Sequence, residues 1–127
     1  MSQMSMLNLK SITRSDGYML KVENNIISLT RGDSAFLNVE ITNDEGEIYE
    51  LEQGDVCEFT VKKYTSSENV LIQKEVLNGE IRISPDDTKN LEYGQYVYDV
   101  QVTMANGDVA TVIPPTTFNI LEEVNFE

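Results

Sequence analysis

The chain has 127 residues, of which 40% are hydrophobic and 24% are charged, and these values exclude a wholly disordered protein. A single domain of this length buries roughly two-thirds of the surface that its unfolded form exposes. Nine basic and 22 acidic side chains leave a net charge of −13, and 20 of the acidic groups lie in residues 32–127, so we expect no binding to nucleic acid.

We also expect no association with a membrane. No apolar run approaches the ~20 residues that a membrane span needs, and residues 1–10 lack the apolar segment of a signal peptide. The single cysteine, Cys57, has no partner for an intramolecular disulfide, as is usual for proteins made in the cytosol. Histidine is absent, so no imidazole is present to activate Cys57 as a nucleophile, and we interpret it as a small core residue.

Residues 1–17 show the period of neither a helix nor a strand. We interpret them as a flexible lead-in, and the alternative is an arm that docks on a neighbouring subunit through apolar side chains such as Met4, Met6 and Leu7. Residues 18–124 are the predicted domain, and residues 125–127 are a short tail.

Short strands separated by turns dominate residues 18–124. Alternating or apolar runs predict strands at Tyr18–Val22, Ile26–Thr30, Ala35–Thr42, around Cys57–Val61, at Val70–Val76 and at Glu80–Ser84. Residues 85–88 are expected to form one helical turn. The spacing of about seven to nine strands and the absence of a sustained helical period predict an all-β protein, an antiparallel β-sandwich.

A hairpin near the end of the chain is the clearest element. Residues 93–104 alternate apolar and polar side chains, and a second apolar run begins at Val109. Asn106-Gly107 between them predicts a two-residue type I′ turn, in which both residues have positive φ. Asn78-Gly79 carries the same signal, whereas Pro114-Pro115 is expected to interrupt the returning strand.

The tyrosines of this hairpin refine the sandwich to an immunoglobulin-like one. Such domains place a tyrosine near the start of their sixth strand, with its hydroxyl bonded to the backbone upstream, and Tyr96 stands at that position. Tyr98, two residues later, occupies the inward position that is a cysteine in disulfide-bearing domains. We therefore expect both tyrosines in the core.

Three motifs suggest chemistry, and each has a structural alternative. Arg31-Gly32-Asp33 matches the tripeptide that integrins read, but glycine between polar residues is also ordinary turn chemistry. Residues 44–58 hold seven carboxylates, which would suit calcium or a solvated loop. Asp86-Asp87 could be paired acids of a hydrolase, or turn and cap residues. The structural alternative is favoured in all three cases, so we expect no enzymatic activity, catalytic residue, metal or cofactor.

Three segments together carry a resemblance to a known family. They are Ile27–Ser34, Tyr93–Gln101 and Pro115–Ile120. In combination they resemble small phage and prophage proteins similar to the N-terminal module of baseplate upper proteins, from tailed phages that infect Gram-positive bacteria. The resemblance spans roughly residues 19–124. It implies a β-sandwich that builds a tail tip or baseplate, in the host cytoplasm before assembly and in the virion tail afterwards.

The resemblance implies other phage tail or baseplate proteins as partners, with a homo-oligomer as a further possibility. The side chains proposed to dock are Phe36, Tyr49, Tyr64, Val124 and Phe126. The alternative function is an immunoglobulin-like adhesion or carbohydrate-binding module at a cell surface. Baseplate upper proteins usually continue into stalk or receptor-binding regions, whereas this sequence ends at Glu127, so we expect a structural or accessory module.

Overall fold

The computed structural model of the chain describes residues 8–14, 21–23, 25–42 and 47–122. These residues form nine strands and one helical turn: β1 (Asn8–Arg14), β2 (Lys21–Glu23), β3 (Ile26–Thr30), β4 (Ala35–Thr42), β5 (Val56–Lys62), β6 (Ile72–Glu75), β7 (Glu80–Ile83), α1 (Pro85–Thr88), β8 (Gly94–Thr103) and β9 (Val109–Leu121). The predicted all-β class is confirmed. The strand predicted at Tyr18–Val22 lies partly outside the described residues.

Part of the predicted lead-in belongs to a sheet. Strand β1 pairs antiparallel with β4, with Ile12 opposite Val39 and Arg14 opposite Leu37. A register shift between Leu9 and Ser11 interrupts the regular pairing of β1 with β4. No period of two could therefore be read there from the sequence.

The strands form two sheets. One has three strands in the order β1-β4-β7, and the other has six in the order β2-β3-β9-β8-β5-β6. All pairings between these strands are antiparallel except that of β3 with β9, where Ile27 lies opposite Phe118 and Leu29 opposite Ile120. The expectation of a purely antiparallel arrangement is wrong for this pair, because β3 runs along β9 in the same direction.

The buried side chains of both sheets form a single hydrophobic cluster. Its centre contains the rings of Phe59, Tyr98 and Phe118, whose centroids lie 5.3 to 6.3 Å apart. Aromatic pairs at such distances contribute about 0.5–1.5 kcal/mol each beyond the area they bury. Tyr98 is 1% exposed and donates a hydrogen bond to the backbone carbonyl of Asn25, while Cys57 is fully buried. The core positions predicted for these residues are confirmed.

The predicted hairpin is present, but its turn differs from the expected one. Of the two residues predicted to form the turn, Asn106 and Gly107, only Gly107 has positive φ, at 96°. The backbone N–H of Met104 donates to Asp108 O, which closes a three-residue loop, and the side chain of Asn106 accepts a hydrogen bond from Asp108 N–H. Ala105 N–H also donates to the Asp55 carboxylate, a tertiary contact that a local sequence pattern does not reveal.

The other Asn-Gly pair adopts the expected conformation. Asn78 and Gly79 have φ of 54° and 75°, and Leu77 and Glu80 exchange two backbone hydrogen bonds around them. Strand β9, in contrast, continues through Pro114-Pro115 and is not interrupted. The prolines fit because β8 and β9 change register here: Tyr98 pairs with Thr116, and Val100 pairs with Ile113.

Candidate functional site

The three described docking residues lie far apart. Phe36 is half-buried on β4, opposite Arg82, whose guanidinium carbon is 5.2 Å from the ring centroid. Tyr49 lies near the other end of β4, because its N–H donates to Ile41 O, five residues or about 17 Å along the strand. Tyr64 lies two residues after the C-terminal end of β5 and is 63% exposed. Val124 and Phe126 lie outside the described residues, so their docking role stays a prediction.

An open groove of about 490 Å³ lies beside Tyr49. Its apolar lining comes from the end of β4, the segment that follows β4 and the residue that follows β6, namely Val39, Ile41, Ile48, Tyr49, Leu51 and Val76. Ile48 is 65% exposed at the rim. The hydroxyl of Tyr49 donates a 2.8 Å hydrogen bond to Asp55, and burial, followed by this bond, raises the pKa of Tyr49 to about 12. The phenol therefore stays neutral and fixed at the edge of the groove.

The Arg31-Gly32-Asp33 segment is tied to the loop that precedes β8. Arg31 donates to Leu91 O and to the hydroxyl of Tyr93, and its guanidinium carbon lies 4.2 Å from the centroid of the Tyr93 ring. Gly32 N–H donates to Thr88 Oγ1 over 2.8 Å. These contacts support the structural interpretation of the tripeptide, since the arginine is already engaged within its own chain.

The acidic residues of 44–58 form no metal centre in the part of the chain that the structure describes. There, no three histidine, cysteine, aspartate or glutamate side chains come together in a metal-binding arrangement. Asp55 instead accepts hydrogen bonds from Tyr49, Glu52 N–H and Ala105 N–H. Burial acts to raise the pKa of Asp55, but these bonds lower it below its ordinary value. Its carboxylate therefore joins the start of β5 to the β8–β9 loop.

Asp86 and Asp87 have different surroundings. Asp87 accepts hydrogen bonds from Ser84 N–H and Ser84 Oγ, and pairs with Lys74 at 2.9 Å. Asp86 is highly exposed and contacts Lys89 at 3.1 Å. Asp87 is thus the N3 residue of a capping box whose N-cap is Ser84, and its ion pair with Lys74 joins the first turn of α1 to β6, while Asp86 lies at the surface.

Sequence reasoning missed a cavity of about 240 Å³ on the outer face of the six-stranded sheet. Its lining includes Thr60 and Lys62 of β5, Gln73 of β6, Asp99 and Gln101 of β8, and Pro115 of β9. From the sequence, the two prolines were expected to interrupt the strand. The sequence does not reveal which side chains lie around the prolines, because that depends on the register between β8 and β9.

Comparison with protein-family models and with curated protein sequences finds no match to this chain. Among the described residues, no helix has the length and apolar character required to cross a membrane.

Proposed function

We propose that the chain is a non-enzymatic structural module, with an immunoglobulin-like β-sandwich fold, that assembles into the tail tip or baseplate of a phage or prophage. Its partners would be other tail or baseplate proteins, with self-association as a second route. It would reside in the host cytoplasm before assembly and in the virion tail afterwards.

The strand order supports the immunoglobulin-like part of the proposal. A strand near the start of the chain, β3, adds in parallel to the last strand, β9, while β4 pairs with β7 in the other sheet. The hydroxyl of Tyr96 also donates to Glu92 O, the upstream backbone bond expected of the tyrosine in such domains. Both features fit a sandwich in which the chain passes repeatedly between two sheets.

The groove beside Tyr49 is the observation that carries the assembly part. It gathers apolar side chains around the exposed Ile48 on a chain whose net charge is −13. Like charge favours separate, soluble copies, whereas an apolar groove favours a partner that covers it. The sequence resemblance to baseplate modules supports a phage tail as the place of assembly.

Substitution of Ile48 provides the test. Sedimentation velocity at protein concentrations up to about 1 mM detects self-association with a millimolar dissociation constant, which corresponds to an association free energy of about −4 kcal/mol. Co-expression with the products of flanking genes detects a heterologous complex. We expect Ile48→Glu to abolish the association found, and Val109→Glu, at a site 53% exposed in β9, to leave it intact. A strict monomer that binds none of these products, or flanking genes unrelated to phage tails, would overturn the proposal.

A further inference from the structure

The cavity around Asp99 is built by an irregularity in the pairing of β8 with β9. Asp99 lies between Tyr98, which pairs with Thr116, and Val100, which pairs with Ile113, so it faces two prolines on β9. Neither proline has a backbone N–H to donate. On its other side Asp99 pairs with Thr60 of β5. The part of the cavity around Asp99 is therefore a feature of the sheet, while Thr65 and Val70 line it from the segment between β5 and β6.

Asp99 is half-buried in this cavity, where Lys62 is the charged group that acts on its carboxylate. Among the described residues this carboxylate accepts no hydrogen bond and forms no ion pair. Burial raises the pKa of Asp99, and the positive charge of Lys62 offsets part of that rise. A partly desolvated carboxylate without a donor is costly to the fold, and such groups in clefts are candidates for binding.

Two glutamines add further acceptors. Gln73 donates through Nε2 to Thr60 Oγ1 over 3.2 Å, and Gln101 donates through Nε2 to Thr111 Oγ1 over 3.3 Å. Within the described residues the oxygen atoms of both amides accept no hydrogen bond. The cavity is thus lined by one carboxylate and two amide side chains, whereas Lys62 is the only described lining residue with a positive charge.

We propose that this cavity binds the guanidinium group of an arginine presented by a partner protein. Guanidinium has five N–H donors and no acceptor, so it complements a site rich in acceptors, and it pairs with a carboxylate through two parallel bonds. Val70, Val97 and Pro115 provide apolar walls for its flat faces. The net charge of −13 attracts a basic partner surface.

The size of the cavity also favours one side chain. Pockets that enclose a whole small-molecule ligand span about 300–1,000 Å³, and this open cavity is about 240 Å³. That the arginine belongs to another assembly protein rests on the function proposed above. Binding of the guanidinium group itself can be measured without that partner.

The test uses the whole chain, labelled with ¹⁵N, and two small probes. Nα-acetyl-arginine methylamide carries the guanidinium, and Nα-acetyl-citrulline methylamide is its neutral analogue of nearly the same shape. We expect the arginine probe to bind with a millimolar dissociation constant and to shift the amide signals of Thr60, Asp99 and Gln101. The citrulline probe is expected to shift them at least about tenfold less at the same concentration, because it lacks the charge-assisted bonds.

Three variants assign the binding to this cavity. Asp99→Asn should weaken the arginine probe at least about tenfold, whereas Asp108→Asn, the same change at an exposed turn, should leave it unaltered. Lys62→Met should tighten it severalfold, because a repelling charge is removed. Equal binding of citrulline, equal binding to Asp99→Asn, no binding at all, or the same shifts with N-acetylglucosamine would overturn the proposal. None of these results alters the Ile48 experiment, so the two proposals can fail separately.

Discussion

The hydroxyl of Tyr96 donates a hydrogen bond of 2.7 Å to the carbonyl oxygen of Glu92, four residues upstream. The ring itself is 4% exposed, and the ammonium of Lys63 lies 4.4 Å from its centroid. The residue therefore joins the core of the six-stranded sheet to the loop between α1 and β8. That loop also receives Arg31, through Leu91 and Tyr93.

Tyr96→Phe should lower the free energy of unfolding by about 1 kcal/mol, because it removes this bond and keeps the ring in the core. Tyr64→Phe is the matched control, since it removes a phenolic hydroxyl from an exposed ring. Urea unfolding followed by circular dichroism gives both values. An equal loss in the two variants would mean that the bond to Glu92 does not stabilise the fold.

The inward faces could be predicted because they depend on local alternation. Residues 96, 98, 100 and 102 are all buried, as their spacing in β8 requires. The turn at Asn106 and the cavity at Asp99 could not be predicted from the sequence, because each depends on contacts between distant segments. Asp55 holds Ala105 from 50 residues away, and the register of β9 determines what Asp99 faces. The docking role of Phe36, Tyr49 and Tyr64 stays a prediction.

Cys57 should not react with iodoacetamide in the native protein at pH 8. Burial raises its pKa to about 12, so about 10⁻⁴ of the thiol is ionised, and the side chain is fully covered. Labelling followed by mass spectrometry in increasing urea should track global unfolding. In the control, Cys57→Ala combined with Glu58→Cys, the thiol moves to an exposed neighbour and should react in the native state. Rapid native labelling of Cys57 would contradict its placement.

Asp87 should stabilise the protein at neutral pH and lose this effect in acid. Burial acts to raise its pKa, but hydrogen bonds from Ser84 and the contact with Lys74 lower it below the ordinary 3.8. The lowered pKa means that the stabilisation is complete above about pH 4 and disappears as the pH falls through the native pKa. Asp87→Asn should therefore cost about 1–2 kcal/mol at pH 7.

Urea midpoints at pH 7 and about pH 2 test the role of Asp87, since the difference from the unmodified chain should shrink at the lower pH. Asp86→Asn is the control, because this carboxylate is highly exposed and should change the midpoint little at either pH. A cost for Asp87→Asn that does not depend on pH would show that its effect does not come from the carboxylate charge.

Asp99→Asn should have the opposite effect on the free protein and raise its melting temperature at pH 7. Burial raises the pKa of Asp99, so the folded state binds its proton more tightly than the unfolded state, and ionisation at neutral pH destabilises the fold. The gain should disappear at about pH 3, where both states are largely protonated. Scanning calorimetry at the two pH values measures it, and Asp108→Asn should show no comparable gain. A lower melting temperature for Asp99→Asn at pH 7 would show that the ionised Asp99 carboxylate does not destabilise the fold.

Gly54 and Ala105 should be energetically coupled. Gly54 has φ of 93°, and a Cβ atom at this position would lie 2.7 Å from Cβ of Ala105. Gly54→Ala should therefore cost about 1 kcal/mol in backbone strain and a further 1–3 kcal/mol in overlap. Gly32→Ala isolates the strain, because its φ is 86° and its surroundings are open. Adding Ala105→Gly to Gly54→Ala should recover the overlap cost, as measured by a double-mutant cycle in urea. A cycle that closes without coupling would mean that Gly54 and the β8–β9 loop do not pack as the structure describes.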